Sequence, residues 1–394
     1  MTEPNFLTSE YDLSGTGLTQ FDLKKARETF TDAFKMLDLN EWPKNPEGAL
    51  APYWRSADIE SCCYLIWIAR VIYLLSRDVT RRSELIFREK LRELLRNRSA
   101  NKHEELLTEL EVAQSFTSVI SPISLEPLVP EEELRSSSKP VSMDFGLRLP
   151  EGDLGLEVTV WHWQMLRDFD AVAQQLGIRF QARLRKLGLL RVVQVRMPLG
   201  VSNSDIGAFL IPEVLDCMRL PAGVKHIETS AGRAEIEWWQ EGAAPSIMPR
   251  ERVKVPGQAE NSTLKGVQIR AFSAEPIFGN DATELATQSL RRALDRKQRQ
   301  ARAEMPNIVA IGLGHRWLDW SWVAPIFDKR IWPNPKYKWI SAIGAFVPYR
   351  DWTIANNGGR VVMYWNPSAS RPVMPSVRDA ADGKATFHAP GRKP

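Results

Sequence analysis

The chain predicts a mixed α/β fold in which helices flank a central sheet. Three observations carry that expectation. Helical periodicity fills much of residues 20–98 and returns at 102–117, 163–186 and 281–303. Two strictly alternating segments, 143–149 and 154–160, flank a turn sequence. A near-continuous apolar run, NIVAIGL at 307–313, follows the last long helix in the manner of a buried strand.

The elements follow in order. Residues 1–20 are polar and expected to be loose. Three helices are expected at 21–37, 56–75 and 81–95, the first two separated by the prolines of 39–52. Residues 1–100 thus form an N-terminal helical region, and 101–394 the main domain. Within 102–117 the apolar stripe is Leu106, Leu107, Leu110, Ala113 and Phe116, with Glu109 at its edge. That carboxylate is placed to lean toward whatever the helix packs on, although a solvated glutamate reads the same way. A β-like run at 117–127 and a charged loop at 131–139 lead to the alternating pair. Then come a helix at 163–186, a strand at 191–197, a helix at 205–219 and strands at 226–229, 234–239 and 267–273. The connection 245–258 carries proline, arginine and glycine. Residues 190–280 read as an insertion. The helix 281–303 has an inward stripe of Ala286, Leu290, Ala293, Leu294, Lys297 and Ala301. Strands at 340–347 and 360–365 are joined through the turn 356–359, and the tail from 371 is expected to fray. The tryptophans around 317–339 read as packing residues.

At 394 residues, the chain carries 52 Lys and Arg against 48 Asp and Glu, for a net charge of +4. This mild excess permits a nucleic-acid partner without requiring one. The excess is concentrated in two runs, 77–102 and 291–302, each of which reads as a solvated helix face or a phosphate-tracking surface. The three cysteines include the neighbours Cys62 and Cys63, which argues against a disulfide framework and for a reducing, cytoplasmic compartment. The apolar run 62–75 is too short to span a bilayer, so no membrane association is expected. Scattered histidines give no zinc signature, and no glycine-rich phosphate loop or nucleophile elbow is present.

The alternating pair is the most informative stretch. Met143, Phe145, Leu147 and Leu149 share one face of the first strand. Leu154, Leu156, Val158 and Val160 share one face of the second. Between them Pro150-Glu151-Gly152-Asp153 supplies turn chemistry. Closing a four-residue turn pairs Leu149 with Leu154 and Gly146 with Glu157, and sets Asp144 opposite Thr159. Asp144 and Glu157 then lie diagonally on the polar face, with Cβ atoms roughly 7–8 Å apart. Two carboxylates at that range suit one shared metal ion.

These residues resemble the PD-(D/E)XK nuclease superfamily, the restriction-endonuclease-like fold. The resemblance rests on Glu109 in the preceding helix, Asp144 ending a strand, and Glu157-Val158-Thr159 in the next. It covers roughly residues 100–200. It implies a mixed central sheet flanked by helices, with Asp144 and Glu157 as ligands of Mg²⁺ (or Mn²⁺) and the Val158 carbonyl as a third ligand. It also implies hydrolysis of DNA phosphodiesters. Met143 stands where the family has proline. Thr159 stands where it has the lysine that positions the attacking water. The superfamily moves this lysine between elements, and Lys297, a lysine on an apolar stripe, is the candidate replacement, although a snorkelling side chain fits the same position. Lys186 is a weaker candidate. Three readings stay open: an active Mg²⁺-dependent nuclease, an inactive relative that binds DNA, and an interaction protein using the tryptophan-rich segment. DNA is the expected partner, and a homodimer is compatible with all three.

Overall fold

A computed structural model of the chain describes residues 5–14, 16–117, 123–126, 143–149, 151–187, 191–215, 219–240, 271–313, 318, 320–346 and 361–383. The chain is a mixed α/β protein with two mixed sheets, divided into two compact units. The first unit holds residues 1–161, 290–314 and 318–394; the second holds 162–289 and 315–317. The segments expected at 131–139, 245–258 and 356–359 lie outside the described residues, as does Cys217.

In the first unit, helices α1 (Gln20–Met36), α2 (Ala51–Trp54), α3 (Ile59–Asp78), α4 (Glu84–Arg96) and α5 (Ala100–Thr117) precede the sheet. Local chemistry sets their starts. Thr19 and Asp22 form a reciprocal capping box at α1, and Asp58 caps α3 by accepting from the Ser61 N–H. α3 is, among the described residues, the one helix long and apolar enough to cross a membrane, but most of it is buried against other parts of the chain. It packs on α1 and α5 as a core helix. Residues 5–14, expected to be loose, are instead anchored: Phe6, Tyr11 and Leu13 are buried, with Phe6 against the rings of Phe30 and Trp54. Burial of these few aromatic and aliphatic side chains outweighs the polar composition around them.

Among the described residues the sheet of this unit has six strands. They are β1 (Ile123–Leu125), β2 (Phe145–Leu149), β3 (Gly152–Trp161), β8 (Asn307–Leu313), β9 (Ala342–Phe346) and β10 (Val361–Trp365), in that spatial order. β3, β8 and β9 run parallel, while the flanking pairs are antiparallel. Every residue of β8 and β9 is buried, which is why both read as apolar runs without alternation. Leu154, Leu156, Val158, Ile308 and Ala310 join one hydrophobic core with α1, α3, α4 and α5. Glu157, being of opposite parity, lies on the other face.

The hairpin register corrects the expected one. Leu149 pairs with Gly152, Leu147 with Leu154 and Phe145 with Leu156. Gly152 and Asp153, expected in the turn, belong to β3, and Gly152 takes a φ of +139° that a side chain would oppose. The shift is two residues, so each side chain keeps its face. Extended by one position, it sets Asp144 directly opposite Glu157 instead of opposite Thr159. The tail is also corrected. Helix α11 (Pro375–Gly383) follows β10, and Val373 and Val377 are buried in the main core.

The second unit contains α6 (Gln164–Leu187), β4 (Val192–Pro198), α7 (Asn203–Asp205), α8 (Ile211–Leu215), β5 (Ala222–Thr229), β6 (Gly232–Trp239) and β7 (Ala271–Ile277). Its sheet order is β5-β6-β4-β7, with only β4 and β7 parallel. The predicted single helix at 205–219 is instead α7, a π-helical turn over Ile206–Leu210, and α8. Helix α9 (Asn280–Lys297) passes from the second unit into the first at Leu290. A short helix α10 (Trp320–Ile326) lies between β8 and β9.

Candidate functional site

Asp144 sits immediately before β2, where the antiparallel ladder ends. Its side chain turns back and accepts the Val158 N–H at 2.7 Å. Glu157 projects from the middle of β3, the strand that joins the hairpin to the parallel core. Lys297 is the last residue of α9. Its neighbours on the helix's inner stripe, Leu290, Ala293 and Leu294, are buried and hold that face of the helix inward. The Lys297 ammonium donates to Asp144 Oδ2 at 2.5 Å and to Glu157 Oε2 at 3.3 Å. Residues 153 and 140 positions apart are thus brought into one cluster. The side chains of Lys297, Asp144 and Glu157 are 15%, 11% and 0% exposed, so little water screens their charges.

This enclosure shapes their protonation. Burial pushes the Glu157 carboxyl well above the usual range, and the adjacent Asp144 charge adds to that, with Lys297 opposing. Burial draws the Lys297 ammonium toward deprotonation, but the charges of Asp144 and then Glu157 outweigh it and leave its pKa raised. Glu157 Oε1 is enclosed and accepts no hydrogen bond from any described residue. A buried carboxylate oxygen without a donor is costly. A hard cation would satisfy it, so the donor set fits a divalent metal held by carboxylate oxygens.

Glu109 lies elsewhere in the same region. It faces Lys90 of α4, whose ammonium reaches Glu109 Oε2 at 2.7 Å and Glu126 Oε1 at 2.5 Å. Burial, opposed by Lys90 and reinforced by the Asp144 charge, raises the Glu109 pKa. Burial lowers the Lys90 pKa, yet Glu109 and Glu126 together carry it above its ordinary value. Lys90 thus pairs with two carboxylates, Glu109 and Glu126, as Lys297 pairs with Asp144 and Glu157. Lys90 was hidden in a basic run. The signal was its placement among Phe87, Leu91 and Leu94, all buried, where a lysine needs a partner. Among the described residues no three His, Cys, Asp or Glu side chains converge as a metal group, and Glu109 is engaged by Lys90.

Thr159 pairs with Ile311 across the parallel ladder and shares the face of Glu157 two residues away. Gly155, two residues before Glu157, leaves room filled by Met143: a Cβ there would meet Met143 Cε at 2.3 Å. Lys186 is exposed in the second unit. The basic runs separate by role. In the first, Lys90 is buried, Arg88 pairs with Glu84, and Arg96 and Arg98 pair with Glu47. In the second, Arg292 and Arg296 are exposed and lie around α9 from the buried stripe that carries Lys297, and Arg299, just past the helix, is exposed as well.

No protein-family model matches the chain, and no curated protein or solved structure matches it.

Proposed function

We propose that the chain is a restriction-endonuclease-like, Mg²⁺-dependent hydrolase of DNA phosphodiesters, with Asp144, Glu157 and Lys297 as its active site. The single observation that carries the reading is the ion cluster of Lys297 with both carboxylates. The PD-(D/E)XK pattern asks for two carboxylates and one lysine, and Thr159 leaves the pattern short by the lysine. Lys297 supplies an ammonium at the same carboxylates from a different element.

In this reading Asp144 and Glu157 would hold the cation, with the Val158 carbonyl as a third ligand. Mg²⁺ suits two protein carboxylates because it keeps several waters, and when bound it lowers the pKa of a coordinated water and offsets charge on the phosphate. Lys297 orients the attacking water by hydrogen bonding and holds both carboxylates in place in the absence of substrate. Its raised pKa keeps it charged at neutral pH, so it stabilises negative charge as it builds on the phosphate. Burial of Glu157 keeps bulk water away from the reacting oxygen atoms and strengthens each of these interactions.

The test is incubation of the purified chain with plasmid and single-stranded DNA in Mg²⁺ or Mn²⁺, with Asp144→Ala and Glu157→Ala as controls. Cleavage by the unsubstituted chain that disappears in both variants supports the assignment. Cleavage that survives both substitutions overturns it. Salt-sensitive DNA binding without any cleavage favours an inactive relative.

A further inference from the structure

The triad of Lys90, Glu109 and Glu126, of which Lys90 is buried, meets the proposed active site through one backbone contact. Glu126 follows β1 and adopts a left-handed conformation, φ +44°, unusual for a residue with a side chain. In that conformation its N–H donates to the Asp144 carbonyl at 2.9 Å. Asp144 in turn receives the Val158 N–H on its side chain and the Lys297 ammonium on the same oxygen. The Glu126 side chain is 32% exposed, yet it is held by Lys90, itself only 8% exposed. The Ser83 hydroxyl, at the start of α4, accepts the neighbouring Leu125 N–H at 2.9 Å. Two contacts from the α4 region thus grip the segment that bonds the Asp144 backbone.

We propose that Lys90 is a positioning residue for Asp144. Its ammonium pins the Glu126 side chain, the pinned residue keeps its left-handed backbone, and that backbone N–H fixes the Asp144 carbonyl at the end of β2. Asp144 is then oriented so that its carboxylate faces Val158 and Lys297. Helix α4 is part of the support of the active site, and the role assigned to Lys90 rests on the site assignment above. The second contact of Lys90, to Glu109, supplies a further enclosed carboxylate with a partner.

Amide hydrogen exchange in the full chain, without metal or DNA, tests the positioning directly and does not depend on turnover. Lys90→Met is expected to speed exchange of the Glu126 and Val158 amides about tenfold or more, while amides of β8 and β9 keep their protection. Lys90→Arg, which retains the charge, is expected to restore most of the protection. Glu126→Ala cuts the tie but leaves the Lys90–Glu109 pair, and it is expected to reproduce the local loss if Lys90→Met fails to fold. Uniform acceleration across β8 and β9 in Glu126→Ala, or unchanged protection at Glu126 and Val158, overturns the proposal. If these amides respond as expected while the unsubstituted chain cleaves no DNA, the positioning role stands and the nuclease reading falls.

Discussion

Replacing Lys297 by methionine is the perturbation with the clearest calculated consequence. Methionine keeps most of the volume but removes the ammonium that lies 2.5 Å from Asp144 and 3.3 Å from Glu157. Both carboxylates remain, one of them fully buried. Removing one partner of a buried ion pair typically costs about 3–5 kcal/mol, because an uncompensated charge is left behind. With exposures of 15%, 11% and 0%, solvent screening reduces that figure little. The cost depends on pH through Glu157, whose folded pKa is raised by burial and by Asp144. A carboxyl with a raised folded pKa binds its proton more tightly when folded. Its contribution to stability is complete below its unfolded value, about 4.3, and is lost as pH rises through the folded value. Without Lys297 the folded value rises further, so the gap between variant and parent widens with pH. Urea unfolding followed by circular dichroism at pH 5 and pH 8 measures this. The expected loss at pH 8 is about 3–5 kcal/mol, and less than about half of that at pH 5. A loss below about 1 kcal/mol at pH 8, with parallel pH dependence in both proteins, would refute the buried ion cluster.

Other outcomes follow from the same geometry. Glu157→Gln removes a buried charge while Lys297 keeps Asp144 as its partner, so stability at pH 8 is expected to rise by roughly 1 kcal/mol while DNA cleavage falls about 10³-fold. Parallel urea melts and plasmid cleavage rates check both parts, and a simultaneous loss of stability and activity would count against the charge argument. Val373→Ala with Val377→Ala opens space in the main core beneath the tail and is expected to cost about 2–4 kcal/mol in the same unfolding assay. A change near zero would return the tail to the frayed state that its composition suggests.

The candidate site was legible in the sequence wherever periodicity carried the information. Alternation in 143–149 and 154–160 placed Asp144 and Glu157 on one face, and the 3.6-residue stripe of α9 singled out Lys297 as a lysine on a buried side. The register of the hairpin was legible only to parity, because a shift of two residues leaves every side chain on its own face. Turn composition suggested four loop residues, yet Gly152 and Asp153 pair within the ladder, and that moves Asp144 from Thr159 to Glu157. Lys90 and Glu126 were not legible as a pair because their contact depends on how α4 packs beside β1, which no local pattern encodes. Glu109 was legible as a carboxylate at the edge of an apolar stripe, but its partner, Lys90, was not. Residues 5–14 and 371–383 were misjudged for one reason: polar composition in the first and proline and charge content in the second masked the few apolar residues, Phe6, Tyr11, Val373 and Val377, that anchor them. The basic runs show the converse, since much of the charge in 77–102 is answered by local carboxylates that a running count does not assign to particular partners.

The central claim is that Lys297 does the work of the lysine that Thr159 replaces. Thr159 shares the face of Glu157, so a lysine introduced there has the reach to meet the same carboxylates. The most direct measurement is the rate of plasmid cleavage in Mg²⁺ by the parent chain, Lys297→Met, and Lys297→Met combined with Thr159→Lys. The account predicts cleavage by the parent, loss of about 10²-fold or more in the single variant, and partial recovery in the double variant. Cleavage by Lys297→Met at the parent rate, or no cleavage by the parent at all, would contradict it.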